Sequence, residues 1–250
     1  MADELFVYGL QPVRETLRAG RGVERAYLSR EGGPMGEIVA LLKKAGVPVD
    51  RVDEARMNAL LPREDGRTVN HQGVALRLSA VEYCAVDDIL AAAQAKGEDP
   101  FLILLDGVTD PHNVGAILRS AEAMGAHGVV LPKRRSAGVN ETAYRASSGA
   151  AAHILVARVT NLVSAMEELK GKGVWLVGTA AEANPCYQTN LTGPIALCIG
   201  SEGDGMSRLV RQTCDFMTGI PLSGRTGSLN ASCAAAVLIY EVARQRGVRA

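Results

Sequence analysis

The sequence predicts an α/β protein with two domains, the larger of which contains a mostly parallel sheet. Short continuous apolar runs, typical of buried parallel strands, recur in the C-terminal part and alternate with stretches of helical periodicity. A polar segment rich in Gly and Pro, residues 97–100, precedes the first run and indicates a domain boundary. The predicted strands of the larger domain are residues 101–105, 128–131, 154–156, 174–177, 195–199 and 216–220.

The N-terminal part has the pattern of a smaller α/β domain. Residues 24–29 and 47–52 are strand-like, residues 36–45 have apolar positions at helical spacing, and residues 74–78 alternate as a strand does. An amphipathic helix is predicted at residues 86–96. We therefore expect a first domain at residues 1–78, a linker at residues 79–100 and a second domain at residues 101–250.

The composition limits the partners and the location of the protein. Its 250 residues carry 27 basic and 27 acidic side chains, so any nucleic-acid surface must be a local patch, for which Lys133, Arg134, Arg135 and Arg145 are candidates. The five cysteines form no C-x-x-C pair, the four histidines are scattered, and we expect no metal site. The sequence has no signal-peptide pattern and no apolar run of 18 residues, which favours a cytoplasmic protein without membrane spans.

Two Gly-rich loops follow predicted strands of the larger domain. The first is Gly200-Ser201-Glu202-Gly203, and the second leads into Ser228-Leu229-Asn230 and an Ala-rich helix. Ligands of open α/β sheets bind at such strand ends. Neither loop has the dinucleotide-binding or the P-loop spacing, so the pattern indicates a nucleotide-type site of another kind. The simpler interpretation is a plain turn, followed by a helix that Ser228 or Asn230 caps.

A helix is predicted from Pro111, because Asp110 suits its N-cap and Pro its first turn. Arg119 points away from the apolar stripe of this helix and Asn113 lies to one side of it, so both side chains are expected to be displayed rather than packed. Without other motifs, a surface salt bridge is the commoner role for such an arginine. The apolar stripe comprises Val114, Ile117, Leu118, Ala121 and Met124.

Three motifs in this order resemble those of the SpoU (TrmH) family of the SPOUT superfamily, whose members are RNA ribose 2'-O-methyltransferases. They are N-x-G-x-x-x-R at residues 113–119, G-S-E-G-x-G at residues 200–205, and I-P-x-x-G-x-x-x-S-L-N at residues 220–230. Near the N-terminus, Val-Tyr-Gly-Leu at residues 7–10 and Asn-His-Gln-Gly-Val at residues 70–74 resemble the RNA substrate-binding domain of the RlmB-like branch, which methylates a guanosine of 23S rRNA.

The resemblance implies a C-terminal domain with a trefoil knot, a homodimer formed through that domain, and S-adenosyl-L-methionine as cofactor. It also implies that an RNA phosphate activates Arg119 to help remove the 2'-OH proton; a more conservative role is to bind the phosphate and orient the hydroxyl. The implied catalytic residues are Asn113, Arg119, Glu202, Ser228 and Asn230, and the implied cofactor-binding residues are Thr179, Gly200, Ile220 and Leu229.

Three alternatives remain open at this point. The substrate could be a tRNA ribose rather than a 23S rRNA guanosine. The chain could be an RNA-binding member of the family without chemistry, although it retains all five implied catalytic residues. A nicotinamide-dependent oxidoreductase would also suit a parallel sheet, but the sequence lacks the expected G-x-G-x-x-G.

Overall fold

The computed structural model describes residues 6–18, 22–61, 63–64, 67–225 and 227–247. The chain divides into two units, Met1–Glu82 and Tyr83–Ala250. The segment expected to be a linker contains helix α4 (Val86–Lys96), which lies in the second unit. Its Ile89 is fully buried in the core of that unit, so most of this segment is part of the packed structure.

The first unit is a four-stranded sheet with helices on both faces. The strand order is β1-β6-β2-β3, and only the β2–β3 pair is parallel. Alternate residues of a strand point to opposite faces, so Ala26 packs in one core cluster and Tyr27 in the other. The elements are β1 (Phe6–Tyr8), α1 (Leu10–Arg18), β2 (Val23–Leu28), α2 (Met35–Ala45), β3 (Val49–Arg51), α3 (Glu54–Leu60), the short pair β4 (Arg63–Glu64) and β5 (Arg67–Thr68), and β6 (Val74–Leu78).

The second unit contains a six-stranded sheet in which every pair of neighbouring strands is parallel. The spatial order is β12-β10-β11-β7-β8-β9. Strands β7, β8 and β11 are buried throughout, which explains their continuous apolar sequences. The bounds are β7 (Phe101–Leu105), β8 (Gly128–Pro132), β9 (Leu155–Val159), β10 (Trp175–Pro185), β11 (Ile195–Ile199) and β12 (Phe216–Gly219).

Helices cover both faces of this sheet. On one face, side chains of α4, α7 and α8 pack with Leu102, Leu104 and Cys198 in a single core cluster. On the other face, α5 contacts β8 and α9 contacts β11, and the two helices also contact each other. None of the helices that the structure describes is long and apolar enough to cross a membrane. The further helices are α5 (Pro111–Ala123), α6 (Glu141–Ala146), α7 (Leu162–Gly171), α8 (Arg208–Thr213) and α9 (Ala231–Gln245).

Helices α5 and α6 approach closely at Gly115. A Cβ atom at this position would lie 2.3 Å from the carbonyl oxygen of Ala143 and 2.6 Å from the Cβ of Ala146. Real Cβ atoms essentially never come this close to another heavy atom, so glycine is required for the observed separation of the two helices. This contact fixes α6 against the helix that carries Asn113 and Arg119.

We expect Gly115→Ala to destabilise the second unit by about 1–3 kcal/mol, the usual cost of overpacking. The added methyl group would force α6 away from α5, since the obstructing atoms include backbone. Thermal unfolding monitored by circular dichroism measures the loss.

Gly36→Ala is the matched control, because Gly36 is also helical and a Cβ there would meet nothing within 4 Å. This change should leave stability equal or raise it by up to roughly 1 kcal/mol. Equal melting temperatures for the two variants would contradict the packing argument.

Candidate active site

A cavity of about 460 Å³ lies between the middle of β10, the C-terminal ends of β11 and β12 with the loops that follow them, and α9. This volume lies in the range of small-molecule sites, and strand ends are where open α/β sheets place them. The four residues that the sequence suggested for cofactor binding all line the cavity, namely Thr179, Gly200, Ile220 and Leu229.

The Gly200 turn is folded tightly against itself. A Cβ at Gly200 would lie 2.2 Å from the carbonyl carbon of Gly205 and 2.4 Å from the backbone nitrogen of Met206. Ser201 and Gly205 exchange backbone hydrogen bonds of 3.0 and 3.2 Å, which close the turn. The glycine at position 200 therefore sets the shape of this wall of the cavity.

The floor of the cavity is held by hydrogen bonds between neighbouring strands. The Thr179 hydroxyl donates to the carbonyl oxygen of Cys198 at 2.9 Å. The hydrogen bond with Cys214, together with complete burial, raises the pKa of the Cys198 thiol well above its ordinary value. Cys198 is therefore neutral at physiological pH and belongs to the core beneath the cavity rather than to its chemistry.

Three of the predicted catalytic side chains form one hydrogen-bonded cluster beside the cavity. The Asn113 Nδ2 donates to Glu202 Oε1 at 2.8 Å, and the Asn230 Nδ2 donates to Asn113 Oδ1 at 3.0 Å and also to Glu202 Oε1. The Asn230 Oδ1 accepts from the backbone nitrogens of Ser232 and Cys233 and so caps α9. The cluster thus joins the start of α5, the Gly200 turn and the start of α9.

The prediction that Asn113 is displayed to solvent is wrong. Asn113 is only 8% exposed. The helix pattern accounted for one packed face, but α5 contacts both α6 and α9, so its buried surface is wider than the apolar stripe. The amide is accommodated in this buried position because Glu202 and Asn230 satisfy its hydrogen bonds.

The remaining two predicted catalytic residues occupy different places. Ser228 lines the cavity, as Glu202 does. Arg119 is exposed as expected, but it is not among the lining residues. Its Nη1 donates to the hydroxyl of Ser148 at 3.1 Å. Within one chain, Arg119 is therefore separate from the cluster around Glu202.

Several lining and supporting residues were not identified from the sequence. Asp106 directly follows β7, and its Oδ2 accepts from the backbone nitrogen of Ser207 at 2.6 Å, which fixes the start of α8 next to the Gly200 turn. Its position directly after a predicted strand could have identified Asp106 as a site residue from the sequence. Arg211 of α8 also lines the cavity, but only the tertiary structure brings it there.

The charged side chains that line the cavity are mostly acidic. Three carboxylates, those of Glu182, Glu202 and Asp204, face one guanidinium, that of Arg211. Such a balance favours a ligand with net positive charge. Aliphatic side chains among the lining residues, such as Ile220 and Leu238, provide a surface for an apolar ring.

The fold and the cavity define an α/β protein with a small-molecule cavity at the C-terminal ends of parallel strands. The profile of the SpoU rRNA Methylase family matches residues 100–240, and the profile for RNA 2'-O ribose methyltransferase substrate binding matches residues 6–84. The chain therefore belongs to the SpoU rRNA methylase family and is an RNA 2'-O-methyltransferase. This membership favours methyl transfer over the nicotinamide alternative.

Similar proteins span nearly the whole chain. YacO of Bacillus subtilis, a TrmH family protein, is 44% identical over 96% of both chains. The 23S rRNA (guanosine-2'-O-)-methyltransferase RlmB of Vibrio parahaemolyticus is 40% identical over 98% of both chains. Among solved structures, the SpoU methyltransferase AviRb from Streptomyces viridochromogenes, in complex with the cofactor AdoMet, is 27% identical with a TM-score of 0.61, covering 96% of this chain and 90% of AviRb.

We expect Asn113→Asp to destabilise the protein by about 1–3 kcal/mol near neutral pH, because a buried donor becomes a second carboxylate next to Glu202. Repulsion and burial raise the pKa of the new carboxyl in the folded state. The penalty is therefore small where that carboxyl is protonated and grows as pH rises. Urea unfolding at about pH 5 and about pH 7.5 measures this difference.

Asn190→Asp is the matched control. Among the residues that the structure describes, Asn190 makes side-chain hydrogen bonds through its Oδ1, which accepts from the backbone nitrogen and the hydroxyl of Thr192, and an aspartate can do the same. Its unfolding free energy should stay within about 0.5 kcal/mol of the parent at both pH values. A pH-independent loss in Asn113→Asp would exclude the carboxylate repulsion.

Proposed function

We propose that this protein transfers a methyl group from S-adenosylmethionine to the ribose 2'-OH of a guanosine in 23S rRNA. The observation that carries the proposal is the cluster of Asn113, Glu202 and Asn230 beside a cavity lined by Ser228 and the Gly200 turn. These side chains come from three distant segments, and a purely structural helix cap would not need them together. The guanosine and the 23S rRNA come from the relatives named RlmB.

The cavity fits S-adenosylmethionine in size, charge and wall chemistry. When bound, this cofactor supplies an electrophilic methyl group on a sulfonium. The three lining carboxylates suit its net positive charge, and the backbone of the Gly200 turn and of Leu229 offers hydrogen-bonding groups for its polar atoms. Ile220 and Leu238 form an apolar wall for the adenine ring.

The protein's own residues orient the reacting hydroxyl and favour the loss of its proton to solvent water. We assign to Ser228 and Asn230, at the start of α9, the role of positioning the ribose. Glu202 holds Asn230 in place through a hydrogen bond. Arg119 binds the phosphate of the target nucleotide and directs the hydroxyl, because a guanidinium matches phosphate with two parallel hydrogen bonds. Its charge also favours loss of the hydroxyl proton as the new bond forms.

The other parts of the proposal concern the organisation of the protein. The unit that contains residues 1–78 recognises the RNA, and its match to a substrate-binding profile supports this role. The C-terminal unit forms a trefoil knot and a homodimer in the cytoplasm, as the family resemblance implies. The exposed apolar side chains of Val237 and Tyr240 on α9 support an interface there, across which Arg119 of one subunit would reach the cavity of the other.

The reaction is tested by incubating the protein with labelled S-adenosylmethionine and 23S rRNA, and then mapping the ribose methylation. Label in one guanosine of 23S rRNA supports the proposal. Label in tRNA alone would show that the substrate is a tRNA ribose. Cofactor binding without transfer to any RNA would favour a non-catalytic member of the family.

We expect Gly200→Ala to weaken S-adenosylmethionine binding by at least about tenfold, because its methyl group must displace the Gly205–Met206 backbone that shapes the cavity. Isothermal titration calorimetry measures the affinity, and a thermal melt shows whether the fold is intact. The control is Gly171→Ala at the end of α7, outside the three motifs, where a Cβ would also meet nothing within 4 Å. Unchanged affinity in Gly200→Ala would remove the Gly200 turn from the cofactor site.

We expect Arg119→Ala to reduce single-turnover methyl transfer by about a hundredfold or more, and Arg119→Lys nearly as much, because an ammonium cannot reproduce the guanidinium fork. Stability should change by no more than roughly 0.5 kcal/mol, since Arg119 is exposed and makes one side-chain hydrogen bond to a neutral group. Lys172→Ala, which removes an exposed cation of the same unit that is paired with Asp87, is the control. Normal turnover in Arg119→Ala would overturn its catalytic assignment.

A further inference from the structure

Arg119 is held by a hydroxyl group on a strained segment of the chain. Its Nη1 donates to Ser148 Oγ at 3.1 Å. Ser148 has a φ of 52°, a left-handed conformation that few residues other than glycine adopt. Such backbone strain persists only where the surrounding structure enforces it, and it is concentrated at functional sites.

The structure around Ser148 is built to keep it in place. Gly115 lies four residues before Arg119, on the same side of α5, and its contact with Ala143 brings α6 close to the helix. Immediately after α6, the Ser147 hydroxyl donates to the Tyr144 carbonyl at 2.6 Å and accepts from the backbone nitrogen of Ala151 at 3.2 Å. The turn is therefore fixed on both sides of Ser148.

The choice of a hydroxyl partner is informative. Two other arginines on helices of this unit bind carboxylates, Arg145 with Glu141 at 2.9 Å and Arg244 with Glu241 at 2.7 Å. Among the residues that the structure describes, Arg119 has no carboxylate within 4.0 Å. A neutral acceptor restricts the guanidinium without cancelling its charge, so the charge stays available to an anion.

We propose that Ser148 is a positioning residue for Arg119, which selects the side-chain orientation in which the guanidinium meets the RNA phosphate. The inference rests on the proposed function, in which Arg119 acts on the RNA. An unrestrained arginine has many rotamers and loses them on binding its anion. The Ser148 contact restricts these rotamers before the RNA binds, so part of the entropy loss has already occurred. Removing the contact should therefore affect the turnover step more than cofactor binding.

Two substitutions at position 148 separate the effect of the hydroxyl group from the effect of the backbone conformation. Ser148→Gly removes the acceptor and accepts a φ of 52° without strain, whereas Ser148→Asn keeps a side-chain oxygen and also tolerates this conformation. We expect Ser148→Gly to lower kcat on 23S rRNA by about tenfold, the scale of one hydrogen bond to a charged group. Ser148→Asn should recover most of the loss. KM for S-adenosylmethionine and the melting temperature should stay at the parent values in both.

Ser164→Ala is the control, since Ser164 is an exposed serine on α7. The decisive measurement is the same Ser148→Gly change in an Arg119→Ala background, where it should have no further effect on kcat. An equal loss in both backgrounds, or equal losses in Ser148→Gly and Ser148→Asn, would overturn the positioning role. Normal kcat in Ser148→Gly with an impaired Arg119→Ala would overturn the inference alone, and normal kcat in both would overturn the role of Arg119.

Discussion

The arrangement of the site depends on the hydrogen bonds that the side-chain amide of Asn230 makes. Its Oδ1 caps α9, and its Nδ2 donates to both Glu202 and Asn113. One side chain thus ties the last helix to the Gly200 turn and to the first turn of α5. The capping and the catalytic interpretations of Asn230 do not compete, because they use different atoms of the same amide.

The sequence predicted most of the second sheet because three of its strands, β7, β8 and β11, are short and buried throughout. Strands β7 and β11 have the predicted bounds, since five consecutive apolar residues mark each of them. Strand β10 is longer than predicted and ends at Pro185, because its second half, Ala-Ala-Glu-Ala-Asn-Pro, is no continuous apolar run and contains a register shift between Thr179 and Asn184. Hydrophobic periodicity contains no signal for such a strand.

The motifs identified the members of the site, but not how they are grouped. Glu202, Ser228 and Asn230 follow strand ends or begin a helix. Residues at such positions of a parallel sheet lie at the same end of its strands, so the sequence alone brings them together. The burial of Asn113 depends on α9, which is more than a hundred residues away in the sequence, and so no local pattern could indicate it. The contact of Arg119 with Ser148 likewise depends on the packing of α6 at Gly115.

A chain with zero net charge can serve both an anionic RNA and a cationic cofactor if its charges are separated. In the proposed function, carboxylates such as Glu182 and Asp204 line the cavity, while Arg119, Arg134 and Arg135 are exposed outside its lining. The acidic lining favours a sulfonium over the neutral thioether that remains after transfer, which helps the spent cofactor to leave. The exposed cations attract the RNA phosphates electrostatically, and dissolved salt screens this attraction with distance. Overall composition therefore said little about RNA binding, because the relevant quantity is the local distribution of charge.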